Sequence, residues 1–390
     1  MLFLAPWFPN APGDREGIYI YESAAALSRL GLSVAVLVVR PWLRSKIGQG
    51  RYKSLSGRFD AAAFAGFSDL KLVHYLSIPG NRLPRCSAWL HDRTVGRALL
   101  SSAKAFKADV IHAHSEGEAA VATAVGRGLN LPVVVTLHGI NTAPNYFNSA
   151  FFRARFKTAF TAADRVILVG EPLRRFFAEL GGGDGNFRVV PNGFDPPRTS
   201  HVPFTDDGLV RFISVSNLHA GKGIDIAVRA MAKARSQGLE AFNYTVVGDG
   251  FEREALEELV AELDLKDKVR FVGACPHDEV YDWLRQADVF VLPSFREAFG
   301  VAYLEAMALG LLAIGVDGEG PAAFISDGKT GILVPPGDPG GLAQRLIEIV
   351  GNRDAMRTIA AAGQTHVRAN WTWDRQAQRL VSLYQDLRRQ

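Results

Sequence analysis

Glu297 and Glu305 are two carboxylates with seven residues between them, in the run Pro293-Ser294-Phe295-Arg296-Glu297-Ala298-Phe299-Gly300-Val301-Ala302-Tyr303-Leu304-Glu305. The apolar stretch over 289–292 predicts a buried strand before this run, and residues 301–309 predict a helix after it. Gly300 lets a ligand approach the main chain closely. The first amides of the helix, at positions 299–303, lack intrahelical acceptors and favour an anion. Carboxylates make poor phosphate ligands but good acceptors for hydroxyls. A molecule with hydroxyls at its ends and negative charge between them, such as a sugar diphosphate, would meet both. The plain alternative is a helix with an acidic first turn.

Other residues add to this chemistry. Lys222 lies between Gly221 and Gly223 after an apolar run, where a lysine reaches a phosphate as a point charge or simply stays solvated. His138 follows the predicted strand 133–137 and reads as a ligand contact or as a structural hydrogen-bonding group. His112 and His114 alternate onto one face, the start of a metal site, but no third and fourth ligands lie nearby in sequence. The loop Gly13-Asp14-Arg15-Glu16-Gly17 precedes a helix and could offer its amides to phosphate or acceptor. Gly248-Asp249-Gly250 lacks the third glycine of a dinucleotide fingerprint and reads as a turn between strand and helix.

These residues need a scaffold of alternating strands and helices. In the C-terminal half, strands are predicted over 210–216, 242–247, 269–272, 289–292 and 311–316. Helices are predicted over 224–236, 252–263, 279–286 and 301–309. In the N-terminal half, strands are predicted over 2–5, 34–39, 110–112, 133–137 and 166–169, with a helix over 22–30. Residues 41–90 are irregular, either an insertion carrying substrate contacts or an ordinary excursion. The turn-rich stretch Asn192-Gly193-Phe194-Asp195-Pro196-Pro197 places a boundary at 192–208, and a final helix runs from 371 to 390. The fold class is therefore α/β: two doubly wound, Rossmann-like parallel-sheet domains. Ligands of such sheets bind beyond the carboxyl ends of the strands, so the two are expected to face each other across a cleft.

Composition bounds the rest. At 390 residues, 48% hydrophobic and 22% charged, the chain is too apolar for disorder and too long for one ordinary domain. Its two cysteines, Cys86 and Cys275, exclude a disulfide scaffold and are expected as reduced, buried thiols. Neither a signal peptide nor a spanning helix is expected, so a cytoplasmic protein is. Residues 1–200 hold 24 Lys and Arg against 14 Asp and Glu, a basic half that attracts anions. Within it, Phe152, Phe156 and Phe160 recur every fourth residue among Arg153, Arg155 and Lys157, predicting an amphipathic helix over 148–160. That helix either docks on a membrane surface or packs into a core with a solvated basic rim.

The spacing from Glu297 to Glu305 resembles the E-x7-E motif of retaining nucleotide-sugar glycosyltransferases of the GT-B fold, family 4. The resemblance extends over Val246-Val247-Gly248-Asp249-Gly250, Val190-Pro191-Asn192-Gly193, the run from Asp327 to Pro336, Asp109-Val110-Ile111-His112-Ala113-His114 and Thr136-Leu137-His138-Gly139. It implies a donor-binding domain over 205–371 and an acceptor-binding domain over 1–195, with helix 372–390 packing back on the latter. It implies that Glu305 accepts from the nucleotide ribose and Glu297 holds hydroxyls of the transferred sugar. The amides of Phe299, Gly300 and Val301 would contact sugar or diphosphate, Lys222 would neutralise the diphosphate, and His138 would lie near the sugar. Gly17 matches the glycine-bearing loop that closes on donor and acceptor, although the doubled glycine of many members is absent. Asn217 stands where the family often has an arginine, which removes one positive charge from the leaving-group site.

The chain contains no D-x-D, the metal-holding motif of many sugar transferases of the other major fold, so metal-independent chemistry without a cofactor is implied. The partners implied are a nucleotide sugar and a glycan or lipid-linked acceptor, with no nucleic acid, and with a membrane surface as a further partner on the inner face of the cell membrane. The activity implied is hexosyl transfer with retention. The alternatives are a sugar-nucleotide epimerase or phosphorylase on the same fold, a sugar-nucleotide binder without turnover, and, more distantly, an NAD-dependent enzyme.

Overall fold

A computed structural model describes residues 1–42, 59–76, 83–139, 149–183, 185–205 and 207–388. The chain divides into two compact units, Met1–Gly193 with Trp373–Gln390, and Phe194–Thr372.

The first unit runs β1 (Leu2–Ala5), α1 (Ile18–Arg29), β2 (Ala35–Pro41), β3 (Asp69–Tyr75), α2 (Pro84–Phe106), β4 (Ile111–His114) and α3 (Glu116–Leu129). It continues with β5 (Val133–Leu137), α4 (Ala150–Ala162), β6 (Arg165–Leu168), α5 (Leu173–Glu179) and β7 (Phe187–Val189). Its seven strands lie in the order β3-β2-β1-β4-β5-β6-β7 and every pairing is parallel. The central strands β1, β4 and β5 are buried throughout, as expected of a sheet covered by helices on both faces.

The second unit runs β8 (Val210–Val215), α6 (Ile224–Ser236), β9 (Phe242–Val247), α7 (Arg253–Glu262), β10 (Val269–Gly273), α8 (His277–Leu284) and β11 (Val289–Val291). It ends with α9 (Val301–Leu309), β12 (Leu312–Val316), β13 (Ile332–Val334), α10 (Pro339–Gly351) and α11 (Arg353–Asn370). Its sheet is also parallel, in the order β10-β9-β8-β11-β12-β13. Strand order reverses between β1 and β4 in one sheet and between β8 and β11 in the other. Such switch points open a crevice at the carboxyl ends of the strands.

The last helix, α12 (Trp373–Arg388), belongs to the first unit. Trp373, Ala377, Leu380 and Tyr384, at helical spacing, join the core with Ile20, Ala24 and Leu27 of α1. Ser23 Oγ donates to Gln376 Oε1 over 3.1 Å, and Arg29 pairs with Asp374 at 3.0 Å.

Several expectations shift. Helix α1 begins at Ile18 rather than 22, because Gly17 adopts a left-handed φ of 68° and caps it. Strand β4 covers Ile111–His114 instead of ending at 112, so both histidines are strand residues. Helix α8 starts at His277, directly after Pro276, two residues before the expected 279. The irregular stretch 41–90 contains β3 and most of the first turns of α2, while the insertion envisaged there falls in part on 43–58 and 77–82, outside the described residues. Cys86 is exposed rather than buried, because α2 buries the opposite set His91, Val95, Leu99, Ser102 and Ala103; Cys275 is half-buried and both are free thiols.

The phenylalanine stripe of α4 faces inward. Phe152, Phe156 and Phe160 are buried with ring centroids 6.0 and 6.3 Å apart, and Arg155 pairs with Asp92 of α2. Its apolar face is thus used in the core. Among the described residues no helix is long and apolar enough to cross a membrane.

Candidate active site

In the second unit, the loops after β8, β9 and β11 lean on one another. Leu218 donates to the Asp249 carbonyl over 2.9 Å, and Glu252 donates to the Leu218 carbonyl over 3.2 Å. A Cβ on Gly250 would strike the Leu218 carbonyl, so the Gly248-Asp249-Gly250 turn is glycine-bearing in order to admit its neighbour loop. Phe295 N donates to the Gly221 carbonyl over 2.9 Å, and Ser294 Oγ donates to the same oxygen over 3.0 Å. Gly223, at φ 67°, lies so close to the Pro293 carbonyl that no Cβ fits.

This packing brings Lys222, on the 3-10 turn Ala220–Lys222, to Glu297: Nζ to Oε2 is 2.6 Å, both side chains being mostly buried. Glu297 is also fixed through its main chain. Its amide donates to Glu319 Oε2 over 2.8 Å, and its carbonyl accepts from Gly320 N over 2.9 Å. Arg296, just before it, has a φ of 62°, a left-handed conformation that costs an ordinary residue about 1–2 kcal/mol. Backbone strain beside a carboxylate held at three points is typical of a site.

Glu297 and Glu305 bracket the start of α9. Gly300 caps that helix with φ 93°, and the amides of Phe299, Gly300 and Val301 have no backbone acceptor among the described residues. N–H groups at a helix start lie at the positive end of the helix dipole, which favours an anion. The Phe299 ring is buried against Phe324 and Trp371, centroids 5.7 and 5.8 Å away, so this residue offers only its backbone. Glu305, one turn into α9 and 9% exposed, has Oε1 2.8 Å from His277 Nε2. The Asn217 side chain is exposed.

The first unit holds the other predicted residues. Gly17 abuts the Trp7 carbonyl, where no Cβ fits, and so seats α1 on the loop after β1. His112 and His114 on β4 and His138 after β5 form a row. His112 Nδ1 lies 2.6 Å from Tyr384 Oη, and His112 Nε2 lies 2.6 Å from Thr136 Oγ1. His114 Nδ1 lies 2.9 Å from His138 Nε2. Burial pushes His138 down to about 3 and, with His138 nearby, His112 to about 3; His114 is lowered by burial and by both neighbours. The row is uncharged at neutral pH. Among the described residues no cluster of three or more His, Cys, Asp or Glu is arranged to hold a metal ion.

Three contributors have no motif in the sequence reading. His277 lies 28 positions from Glu305 in sequence, and only the step from β10 into α8 brings them together. Glu319 carries a weak cue, a lone carboxylate between Gly318 and Gly320 after a strand. Ser294 falls inside the quoted run, but its bond to the Gly221 carbonyl depends on how two loops pack.

Residues 17–198 match the family model described as Glycosyltransferase Family 4, and residues 200–366 match Glycosyl transferases group 1. This chain is a glycosyltransferase. Among the relatives of the glycosyltransferase is the colanic acid biosynthesis glycosyltransferase WcaL of Salmonella typhimurium, 28% identical over 72% of this chain and 71% of that protein. Its fold is that of GT-B glycosyltransferases. The sucrose-phosphate synthase of Thermosynechococcus elongatus superposes with a TM-score of 0.72 at 21% identity, covering 99% of this chain and 98% of the other. Anabaena HepE in complex with UDP superposes with a TM-score of 0.70 at 18% identity, covering 99% of both. The two family models meet at residues 198–200 of the glycosyltransferase, close to the seam between its compact units.

Proposed function

We propose that this glycosyltransferase moves a hexose from a nucleoside diphosphate sugar to a hydroxyl of a glycan or lipid-linked acceptor, with retention at the anomeric carbon and without a metal ion. The observation that carries this reading is the Lys222–Glu297 pair at 2.6 Å in the loops that lead into α9, whose first amides have no backbone acceptor among the described residues. A cation and a helix start serve a diphosphate, and a carboxylate within the same few residues serves sugar hydroxyls. Lys222 neutralises the charge that grows on the leaving diphosphate, which raises the rate because the interaction strengthens in the transition state. Glu297 orients the hexose and Glu305 accepts from the ribose. With an uncharged Asn217, Lys222 supplies the positive charge from the loop after β8.

No side chain is placed as a nucleophile in this scheme. The bond from the anomeric carbon to the diphosphate oxygen breaks, the acceptor oxygen bonds to the same face, and the departing phosphate takes the acceptor proton. The protein's part is orientation and charge stabilisation. The first unit binds the acceptor and the second the donor. HepE is described with UDP-glucose, and WcaL is named for colanic acid biosynthesis, which supports a nucleotide-sugar donor and a cell-surface polysaccharide or its lipid-linked precursor as product.

The test uses water as a stand-in acceptor. A panel of nucleotide hexoses is hydrolysed slowly by the protein with chelator present, and the anomer first released is read by proton NMR before mutarotation. Release of the donor's own anomer is expected. The opposite anomer, or activity that needs an added divalent ion, overturns the proposal.

A further inference from the structure

A doubly wound sheet is normally buried on both faces, yet one face of the second sheet is polar where three of its strands begin. Arg211 of β8 pairs in register with Asn243 of β9, and Thr245 of β9 with Arg270 of β10. Alternation puts these four side chains on one face. The first three are half-buried and Arg270 is exposed, while Phe212, Tyr244 and Val269 on the opposite face are buried. The connection on the polar face explains this. The chain returns there from β10 at the sheet edge to β11 through α8, a helix of eight residues and about 12 Å, which leaves the amino ends of the strands open. A cavity of about 680 Å³ results, lined by these four residues and by Trp283 and Gln286. Lys222, Glu297 and the Gly248-Asp249-Gly250 turn lie in loops that follow the carboxyl ends of their strands, at the other end of the sheet.

Charge sets the cavity apart from its surroundings. Residues 194–372 hold 17 Lys and Arg against 25 Asp and Glu. The cavity is the reverse, with Arg211, Lys266, Lys268, Arg270 and Arg285 against Asp207, Asp267 and Asp288. Each of those acids is matched: Asp207 and Asp288 by Arg211, and Asp267 by Arg235. Lys268 and Arg285 have acids of their own in Glu240 and Asp282. Lys266 and Arg270 have no acidic partner among the described residues. Arg270 lies instead over the Trp283 ring, 5.0 Å from its centroid. A guanidinium held flat on an indole keeps the N–H groups of its edge for an oxyanion.

We propose that this cavity is a binding site for a phosphorylated sugar, separate from the loops of the proposed donor site. Two cations without acids match a phosphate monoester, which carries nearly two negative charges at neutral pH, better than a carboxylate, which carries one. Arg270 meets the phosphate through its fork and Lys266 adds a point charge. Asn243, Thr245 and Gln286 line the same space and serve the sugar hydroxyls, since each can both donate and accept. The inference does not depend on the donor assignment.

The test is calorimetric titration of the full chain with glucose 6-phosphate, mannose 6-phosphate and fructose 6-phosphate, beside glucose and inorganic phosphate. One hexose phosphate is expected to bind about tenfold or more tightly than either glucose or phosphate. Arg270→Gln and Lys266→Gln, both at exposed positions, should each weaken it about three- to tenfold with melting unchanged. Thr245→Val should weaken the hexose phosphate and leave inorganic phosphate as it was. Lys222→Ala should leave hexose phosphate binding intact. Equal affinity for inorganic phosphate marks an adventitious ion only and overturns the proposal. So does binding indifferent to both Arg270→Gln and Lys266→Gln, or no binding of any hexose phosphate. Binding lost in Lys222→Ala would put the ligand at the loop after β8 and overturns it as well.

Discussion

At the scale of single residues, the site depends on groups whose roles separate by the kind of contact they make. Lys222 is a point charge 2.6 Å from Glu297, so Lys222→Ala removes the cation proposed for the diphosphate and takes the ion-pair partner from a mostly buried carboxylate. The expected result is a fall in kcat of at least a hundredfold; normal turnover would remove Lys222 from the site. Glu305→Gln exchanges a charged acceptor for a neutral one and is expected to weaken donor binding by about 1.5–3 kcal/mol, read by calorimetry. His277→Ala frees Glu305 Oε1 from its 2.8 Å partner and should weaken donor binding by a smaller factor, about three- to tenfold, with kcat at saturation kept. A fall in kcat alone would place His277 in the chemistry instead.

Lys222 is legible in the sequence because it lies between two glycines after an apolar run, and Glu297 and Glu305 because seven residues separate them across a loop that turns into a helix. His277 and Glu319 are not, since their partners lie on other βα units and sequence spacing says nothing of which loops meet. Cys86 is misplaced for a related reason: a cysteine's general preference for burial does not tell which face of α2 is covered.

At the scale of elements, glycines decide how closely loops pack. The Gly250 Cα lies against the Leu218 carbonyl, so Gly250→Ala must push the loop after β8 away from its neighbour. A loss of about 1–3 kcal/mol in stability is expected, with weaker donor binding because Lys222 rides on that loop. Unchanged melting and affinity would show that the two loops do not constrain each other. Strands β1, β5 and β8 are legible as apolar runs because a sheet covered on both faces needs no polar alternation. Strand β3 is not, since its sequence Asp-Leu-Lys-Leu-Val-His-Tyr, at the sheet edge, is only half-buried. The start of α1 at Ile18 turns on Gly17, whose φ of 68° and close approach to the Trp7 carbonyl depend on how the loop after β1 packs.

At the scale of the whole molecule, charge and protonation set the pH range of the first unit. Burial opposes a charge on His91, but Glu118 and Asp92 outweigh it and raise this histidine to about 9. Asp92 also meets Arg155, which completes the cluster across α2, α3 and α4. A raised histidine contributes stability that is full below its unfolded value of about 6.5 and lost as pH rises towards 9. His112 and His138, lowered to about 3, act the other way: the unfolded chain takes up protons below about 6.5 while the folded unit does not. Stability is expected to peak near pH 6.5 and to fall on either side, by about 1.4 kcal/mol per pH unit for each proton involved. Denaturant unfolding between pH 4 and 9 checks this. His91→Gln should flatten the alkaline limb alone, and an acid limb that stays flat to pH 4 would contradict buried neutral histidines.

The division into two parallel-sheet units is legible in the alternation of strands and helices. The return of α12 to the first unit is carried by its apolar spacing, which meets α1. The central claim is that the second unit binds a nucleoside diphosphate sugar through Lys222, Glu297 and Glu305. The most direct measurement is calorimetric titration of the full chain and of Glu305→Gln with uridine, guanosine and adenosine diphosphate hexoses, their parent diphosphates, and NAD. Saturable binding of one diphosphate sugar without added metal is expected, weakened about ten- to a hundredfold in the variant, with no binding of NAD. Binding that is unchanged in Glu305→Gln, or the absence of any diphosphate ligand across the panel, would contradict it.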